Sequence, residues 1–342
     1  MKNILKIISF GLILVILLNI MAAVFNEGLL ARKRCVIYYD RRIAELSKEP
    51  EGEINVLFVG DSLCSAAFCT PLLYRDYGIT AFNMGKEMER SIETYYCIKK
   101  AIKKQPIKVV VWEAHNLTKR YQETEPWDYG LTESLRYYFP YVGFHNFWKY
   151  IVDQRSLRKY YKGTLVSETV KPYEVQMPYY DPNTVDESLE LHFEQNYMLD
   201  KIQKLCDENG IKLVLYSAVS PKCYNSSWHE CFAKAAQARG LDYIDANMDL
   251  ETLGIDWEND FYDDGDHVNL FGSEKLTAHL GEYFVQECDL PDHRGEPGYE
   301  SWDDMLKAYD QEVIDMEGTD YFIKEKEAGI KRQVLVQTPM TR

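Results

Sequence analysis

Apolar and polar positions fall in blocks along this chain, and the first block differs from all the others. Between residues 5 and 25 the run is apolar except for Lys6, Ser9, Gly11 and Asn19, about the length a helix needs to cross roughly 30 Å of hydrocarbon. The pattern predicts an N-terminal transmembrane anchor over residues 1–30. A cleaved leader is the competing reading, because Lys2 and Lys6 make a basic start and Met21-Ala22-Ala23 supplies small residues. The apolar run is long for such a leader. Residues 31–53, charged from Arg41 onward, read as a linker.

After the linker the blocks shorten. Residues 54–59 form an apolar run closed by Gly60, and similar runs at 79–83, 107–112, 211–216 and 241–244 sit next to glycines or charged helical stretches. Short runs of this kind read as buried strands. Segments with helical spacing lie between them, notably 92–105, 189–208 and 227–239. Strands alternating with helices imply an α/β, three-layer (flavodoxin-like) domain over 54–288, with a mainly parallel sheet of about five strands. Residues 117–186 break the rhythm. They are rich in Tyr, Phe and Trp and read as an insertion, either a satellite with its own aromatic core or a substrate-facing lid. Residues 289–342 form a C-terminal extension, in which 302–315 can make one amphipathic helix.

Composition narrows the function. The chain has 342 residues, 46% of them apolar, enough to bury a sizeable core. With 54 acidic against 39 basic residues the net charge is −15, which repels phosphate backbones and argues against nucleic acid as a partner. The eight cysteines are scattered with no C-x-x-C pair, so they point to neither a metal finger nor a redox motif. Nothing in the sequence calls for a cofactor.

Two short motifs carry chemistry. Gly60-Asp61-Ser62-Leu63 directly follows the first predicted strand, which puts Ser62 at the carboxyl edge where open α/β sheets place their ligands. Alone, Gly-Asp-Ser is also an ordinary turn and helix-cap composition. Asp264-Gly265-Asp266-His267 lies in a polar loop before a helix beginning near Leu270. A carboxylate three residues ahead of a histidine can accept its ring N–H, so Asp264 is expected to orient His267, which would take the Ser62 proton. Asp263 stands one residue out of that register, and Asp266 is too close. The alternatives are a solvated acidic loop with a surface histidine and a cation site built from Asp263, Asp264, Asp266 and His267, the latter without regular ligand spacing to support it. For the oxyanion, the expected donors are the backbone of Ser62, Gly85 after the second strand, and the Asn116 amide after the third. A turn glycine and a capping asparagine are the plain readings of the last two, and His115 reads as structural.

Gly60-Asp61-Ser62-Leu63, Gly85 and the Asp264-x-x-His267 spacing, in this order and placement, resemble the first, second and fifth blocks of the SGNH (GDSL-like) hydrolases, over residues 54–287. The third block of that family is Gly-x-Asn-Asp, where this chain has Glu113-Ala114-His115-Asn116. With its anchor and aromatic insertion the chain looks most like the bacterial membrane-anchored subgroup related to D-alanyl-lipoteichoic acid biosynthesis and polysaccharide O-acetylation proteins. That resemblance implies an extracytoplasmic serine esterase or acyltransferase acting on a cell-envelope polysaccharide or teichoic-acid-like polymer, and it raises a membrane-bound acyltransferase as partner. A count of flanking charges points the other way. Arg32, Lys33, Arg34, Arg41 and Arg42 follow the apolar run, which would put the domain in the cytoplasm. Two further readings compete: a non-catalytic module that keeps the scaffold to bind a polymer or membrane partner, and a phosphate-binding loop, which lacks the expected lysine and glycine spacing.

Overall fold

The computed structural model describes residues 2–31, 41–118, 126–138, 160–167, 169–174 and 179–315. Parts of the expected linker, insertion and C-terminal extension lie outside these residues.

Helix α1 (Lys2–Ala31) contains the apolar run. Its stretch Asn3–Met21 is long and apolar enough to cross a membrane by length and composition, and none of it is buried against the rest of the chain. Helix α2 (Arg41–Leu46) then leads to five parallel strands: β1 (Val56–Val59), β2 (Ala81–Asn83), β3 (Val109–Glu113), β6 (Lys212–Ser217) and β7 (Asp242–Asp245). They lie side by side in the order β2-β1-β3-β6-β7. Every residue of β1, β2 and β3 is buried, which is why these segments read as continuous apolar runs rather than alternating ones.

Between the strands run α3 (Ser62–Ala67), α4 (Thr70–Tyr77), α5 (Ser91–Ala101), α7 (Phe193–Glu208) and α8 (Ser226–Gln237). The second strand begins two residues later than its apolar run. Thr80 instead accepts from the N–H groups of Asn55 and Val56, holding the chain just before the ladder starts.

Within the expected insertion, the described hairpin is stitched to the sheet. This hairpin, β4 (Tyr160–Tyr161) and β5 (Thr164–Leu165), receives the Asn83 N–H at the Lys162 carbonyl, 2.9 Å away, and the Thr70 hydroxyl at the Tyr161 carbonyl, also 2.9 Å. Gly163 turns the hairpin at positive φ, and a Cβ there would stand 2.0 Å from the Asn83 carbonyl oxygen. Helix α6 (Pro126–Tyr138) lies on α5, with the Tyr96 hydroxyl donating to Ser134 and the Tyr96 and Tyr137 rings stacked 4.7 Å apart.

Helix α9 (Leu270–Glu287) packs on α3 and α4, and α10 (Glu300–Asp315) packs on α4. Although placed in a C-terminal extension by the sequence reading, α10 delivers Trp302 into the main core. Trp302 is fully buried, and its indole N–H donates to Glu53 at 3.0 Å.

Candidate active site

Strand β1 ends at Gly60, whose φ of 141° is open only to glycine and whose Cα packs so close to β3 that a Cβ would sit 2.9 Å from that of Glu113. The chain turns there and starts α3 at Ser62. Asp61 caps the helix by accepting the Leu63 N–H at 3.0 Å. Ser62 is therefore the first helical residue, partly exposed at the carboxyl end of β1, between β2 and the central β3. This is the placement the sequence predicts for it.

His267 comes from the other side of the site, on the loop that precedes α9. Its ring is fixed at Nδ1, but the carboxylate that holds it is Asp263, with Oδ2 at 2.5 Å. The expectation of Asp264 is thereby corrected. Asp264 and Gly265 both have positive φ, 58° and 80°, the signature of a two-residue type I′ turn. The flanking chain closes as a short hairpin: Tyr262 donates its N–H to the His267 carbonyl, and Phe261 bridges Val268. Asp264 is thus at the exposed tip, while Asp263 before the turn faces back to His267. Asp263 also accepts the His267 backbone N–H at 2.6 Å. The Asp264-Gly265 pair is itself a tight-turn signal, so the sequence held the clue to this geometry.

The opposite ring nitrogen is the informative one. His267 Nε2 is buried and has no hydrogen-bond partner among the described residues. With Nδ1 donating to Asp263, Nε2 carries the free lone pair of the neutral ring. Burial works against the charged ring. The Asp263 hydrogen bond and the negative charges of Asp263, Asp266 and Asp61 outweigh it, so the His267 pKa stands above its ordinary value. Tyr262 stacks on the imidazole at 5.5 Å and limits its rotation.

The two expected oxyanion donors beyond Ser62 are engaged elsewhere. The Gly85 N–H donates to Asn83 Oδ1 at 2.9 Å, and Asn83 Nδ2 donates in turn to the Cys64 and Phe68 carbonyls. Gly85 serves close approach: a Cβ there would stand 2.4 Å from the Ser65 nitrogen. Asn116 is fully buried, its Nδ2 donating to the Glu89 carbonyl at 2.8 Å and its Oδ1 accepting from Ser91 at 3.0 Å. Each of these groups is thus bound to a neighbouring segment of the chain.

Beneath Ser62 lies a polar layer that the sequence reading did not assemble. His115 Nδ1 meets Asp61 Oδ2 at 2.8 Å, so Asp61 ties the start of α3 to the end of β3. Glu113 is fully buried. Burial first, and then the nearby Asp61 charge, push its carboxyl well above the usual range, despite hydrogen bonds from the Tyr224 hydroxyl and the Ala218 and His115 N–H groups. Ligand atoms of Asp61, Glu113 and His115 lie within 4.8 Å of one another, as do those of Asp263, Asp266 and His267. In the first set, Glu113 accepts from Tyr224, Ala218 and His115, and Asp61 is bound to His115, so the three groups form one hydrogen-bonded layer.

No family model matches the sequence, and no curated protein matches it. Among solved structures, the chain is similar to a candidate acylhydrolase from Bacteroides fragilis NCTC 9343 and to a GDSL-like lipase from Bacteroides thetaiotaomicron VPI-5482. Each is 11% identical with a TM-score of 0.40 over 73% of this chain, covering 96% and 98% of those chains respectively. A candidate platelet activating factor from Streptococcus pneumonia is 15% identical with a TM-score of 0.40, over 77% of this chain and 98% of that one.

Proposed function

We propose that the chain is a serine esterase or acyltransferase that works through an acyl-Ser62 intermediate. The observation that carries this reading is His267: one nitrogen bound to Asp263 at 2.5 Å and the other buried without a partner, on a loop whose following helix packs against the helix that begins at Ser62. Orphaned buried nitrogens are costly unless something is meant to meet them.

In the reaction, Ser62 Oγ attacks the ester carbonyl as His267 Nε2 takes its proton. Asp263 holds the required tautomer and stabilises the imidazolium that forms. The proton passes to the leaving alkoxide as the tetrahedral intermediate collapses to the acyl-serine. Water or a second hydroxyl, deprotonated by the same nitrogen, then releases the acyl group. The Ser62 N–H, at the first position of α3, has no carbonyl four residues back within the helix and is the remaining donor of the expected set.

The substrate in this reading is an ester-bearing polymer of the cell envelope, reached by a domain tethered outside the membrane through α1. Protease access in intact cells tests that orientation, and digestion only after lysis would sink it. A second reading, a non-catalytic module that binds such a polymer or a membrane acyltransferase, is favoured by the engagement of Gly85 and Asn116 in internal bonds. Labelling with a fluorophosphonate probe separates the two. Labelling lost in Ser62→Ala and weakened in His267→Ala supports the enzyme, and no labelling of folded protein supports the module.

A further inference from the structure

Helix α5, with its neighbours α6 and α7, carries an aromatic and basic face that the proposed chemistry does not use. Tyr95 and Tyr96 of α5 meet edge to face at 5.1 Å, and Tyr96 stacks on Tyr137 of α6. Lysines cap these rings. Lys99 Nζ lies 5.6 Å from the Tyr95 centroid and 5.4 Å from that of Tyr137, Lys103 Nζ lies 4.9 Å from Tyr137, and Lys201 Nζ of α7 lies 4.4 Å from Tyr95. Lys99 also donates to the Tyr138 hydroxyl at 3.2 Å. Among the described residues Lys99, Lys103 and Lys201 have no carboxylate partner. Glu93, Glu133 and Asp200 of the same three helices are taken by Lys86, Arg136 and Arg239.

Two exposed apolar lines run into this cluster at helical spacing. Leu131, Leu135 and Tyr138 form one along α6, and Phe193 and Tyr197 lead to Lys201 along α7. Leu131 is 61% and Phe193 72% exposed. Lysines over the rings occupy the faces on which a sugar would stack, and a symmetric contact with a second copy would set lysines against lysines. An anionic bilayer suits both components: its headgroups receive lysine and tyrosine, and leucine and phenylalanine enter the acyl boundary beneath. Chain connectivity favours the same partner. Helix α1 ends at Ala31 and α2 begins at Arg41, a stretch that reaches at most about 35 Å. Helix α2 packs on α5, which packs on α6 and α7, so this is the side of the domain tethered to α1. In a chain of net charge −15 the rest of the surface is repelled by such a bilayer, and the face therefore also sets orientation.

We propose that the lysine-capped tyrosine face of α5, α6 and α7 docks on an anionic lipid bilayer, the one that α1 spans. This rests on the reading of α1 as a membrane anchor and is independent of the chemistry at Ser62.

The test is lysine acetylation of the full chain in nanodiscs, read by mass spectrometry and referred to Lys307 on α10, whose side chain is 77% exposed. One set of discs holds phosphatidylcholine alone, and the other adds phosphatidylglycerol to about a third of the lipid. Lys99, Lys103 and Lys201 should react several-fold more slowly in the anionic discs, and high salt should remove the difference. A lysine near such a surface is worth roughly a fivefold change in binding. Lys103→Glu and Leu131→Asp, both at exposed positions, should therefore return the remaining lysines toward their rate in neutral discs. Equal rates in the two kinds of disc overturn the proposal. Protection equally strong in phosphatidylcholine also overturns it, because a second copy or another segment would then cover the face, and so does protection unchanged in folded Lys103→Glu and Leu131→Asp. Full chain that enters neither disc would sink the anchor reading and the docking with it. Ser62→Ala should give the wild-type footprint, so failure of the fluorophosphonate to label the protein leaves the docking face standing, and failure to dock leaves the serine chemistry standing.

Discussion

Asp263 and His267 face each other across a two-residue turn, with the carboxylate at 2.5 Å from Nδ1 and 2.6 Å from the backbone nitrogen of the same histidine. One side chain thus fixes both the ring's tautomer and the loop's shape. The neighbouring Asp264 sits at the exposed tip with φ 58°; its backbone makes the turn, and its side chain takes no part in holding the ring.

Substitution at these two positions should separate their roles. Asp263→Asn would present an amide to Nδ1 and favour the wrong tautomer, lowering kcat/KM on an acetyl ester by roughly 10²- to 10⁴-fold. Asp264→Asn should stay within about twofold of wild type. Equal losses in both variants, with folding intact, would show that the turn rather than the hydrogen bond is what matters.

The pH profile follows from the same contact. A general base must be neutral to accept the serine proton, so activity should fall as pH drops through the His267 pKa. Asp263, Asp266 and Asp61 hold that pKa above its ordinary value. The acid limb of kcat/KM should therefore lie above the pH expected of an unperturbed histidine. Asp263→Asn removes the largest raising contribution and should move the limb to lower pH in whatever activity remains. A limb that does not move would mean that another group controls it.

Much of the fold was legible because strands buried on both faces become unbroken apolar runs, and because Gly60 ends the first of them where the chain must pass close to Glu113. The position of Ser62 came with it. What local pattern could not give was pairing set by distant or folded-back chain. The choice of Asp263 over Asp264 depends on the sign of φ at two turn residues. The loss of Gly85 as a donor depends on the side chain of Asn83, which is committed to Cys64 and Phe68 nineteen and fifteen residues away. The amphipathic spacing of 302–315 was visible, but not that Trp302 would donate to Glu53 and complete the main core.

That last contact makes the C-terminal helix part of the domain. Trp302→Ala removes a fully buried ring packed 5.5 Å from Tyr74 and takes one donor from Glu53 Oε2, leaving it the Ser301 hydroxyl at 3.1 Å. The expected loss is about 3–5 kcal/mol, read as a lower urea midpoint with unchanged slope. A chain ending before Glu300 should fare worse and fail to fold cooperatively. A truncated chain with wild-type stability would show that α10 only decorates the surface.

Asn116 gives the sharpest test of how the oxyanion is met. If its amide served the reaction, Asn116→Ala would lower kcat by roughly 10²- to 10³-fold while leaving stability nearly unchanged. Its actual partners are the Glu89 carbonyl and the Ser91 hydroxyl, both buried with it. Removing the amide should therefore strand the buried Glu89 carbonyl, while the Ser91 hydroxyl keeps Gln195 Oε1 at 2.6 Å, and cost about 1–3 kcal/mol of stability. The expected outcome is a lower melting temperature, with kcat per folded molecule reduced far less than a lost oxyanion donor would require. Measuring active-site titre and unfolding midpoint on the same preparation distinguishes the two, because a catalytic donor lowers the rate per titrated site and a structural one lowers the midpoint.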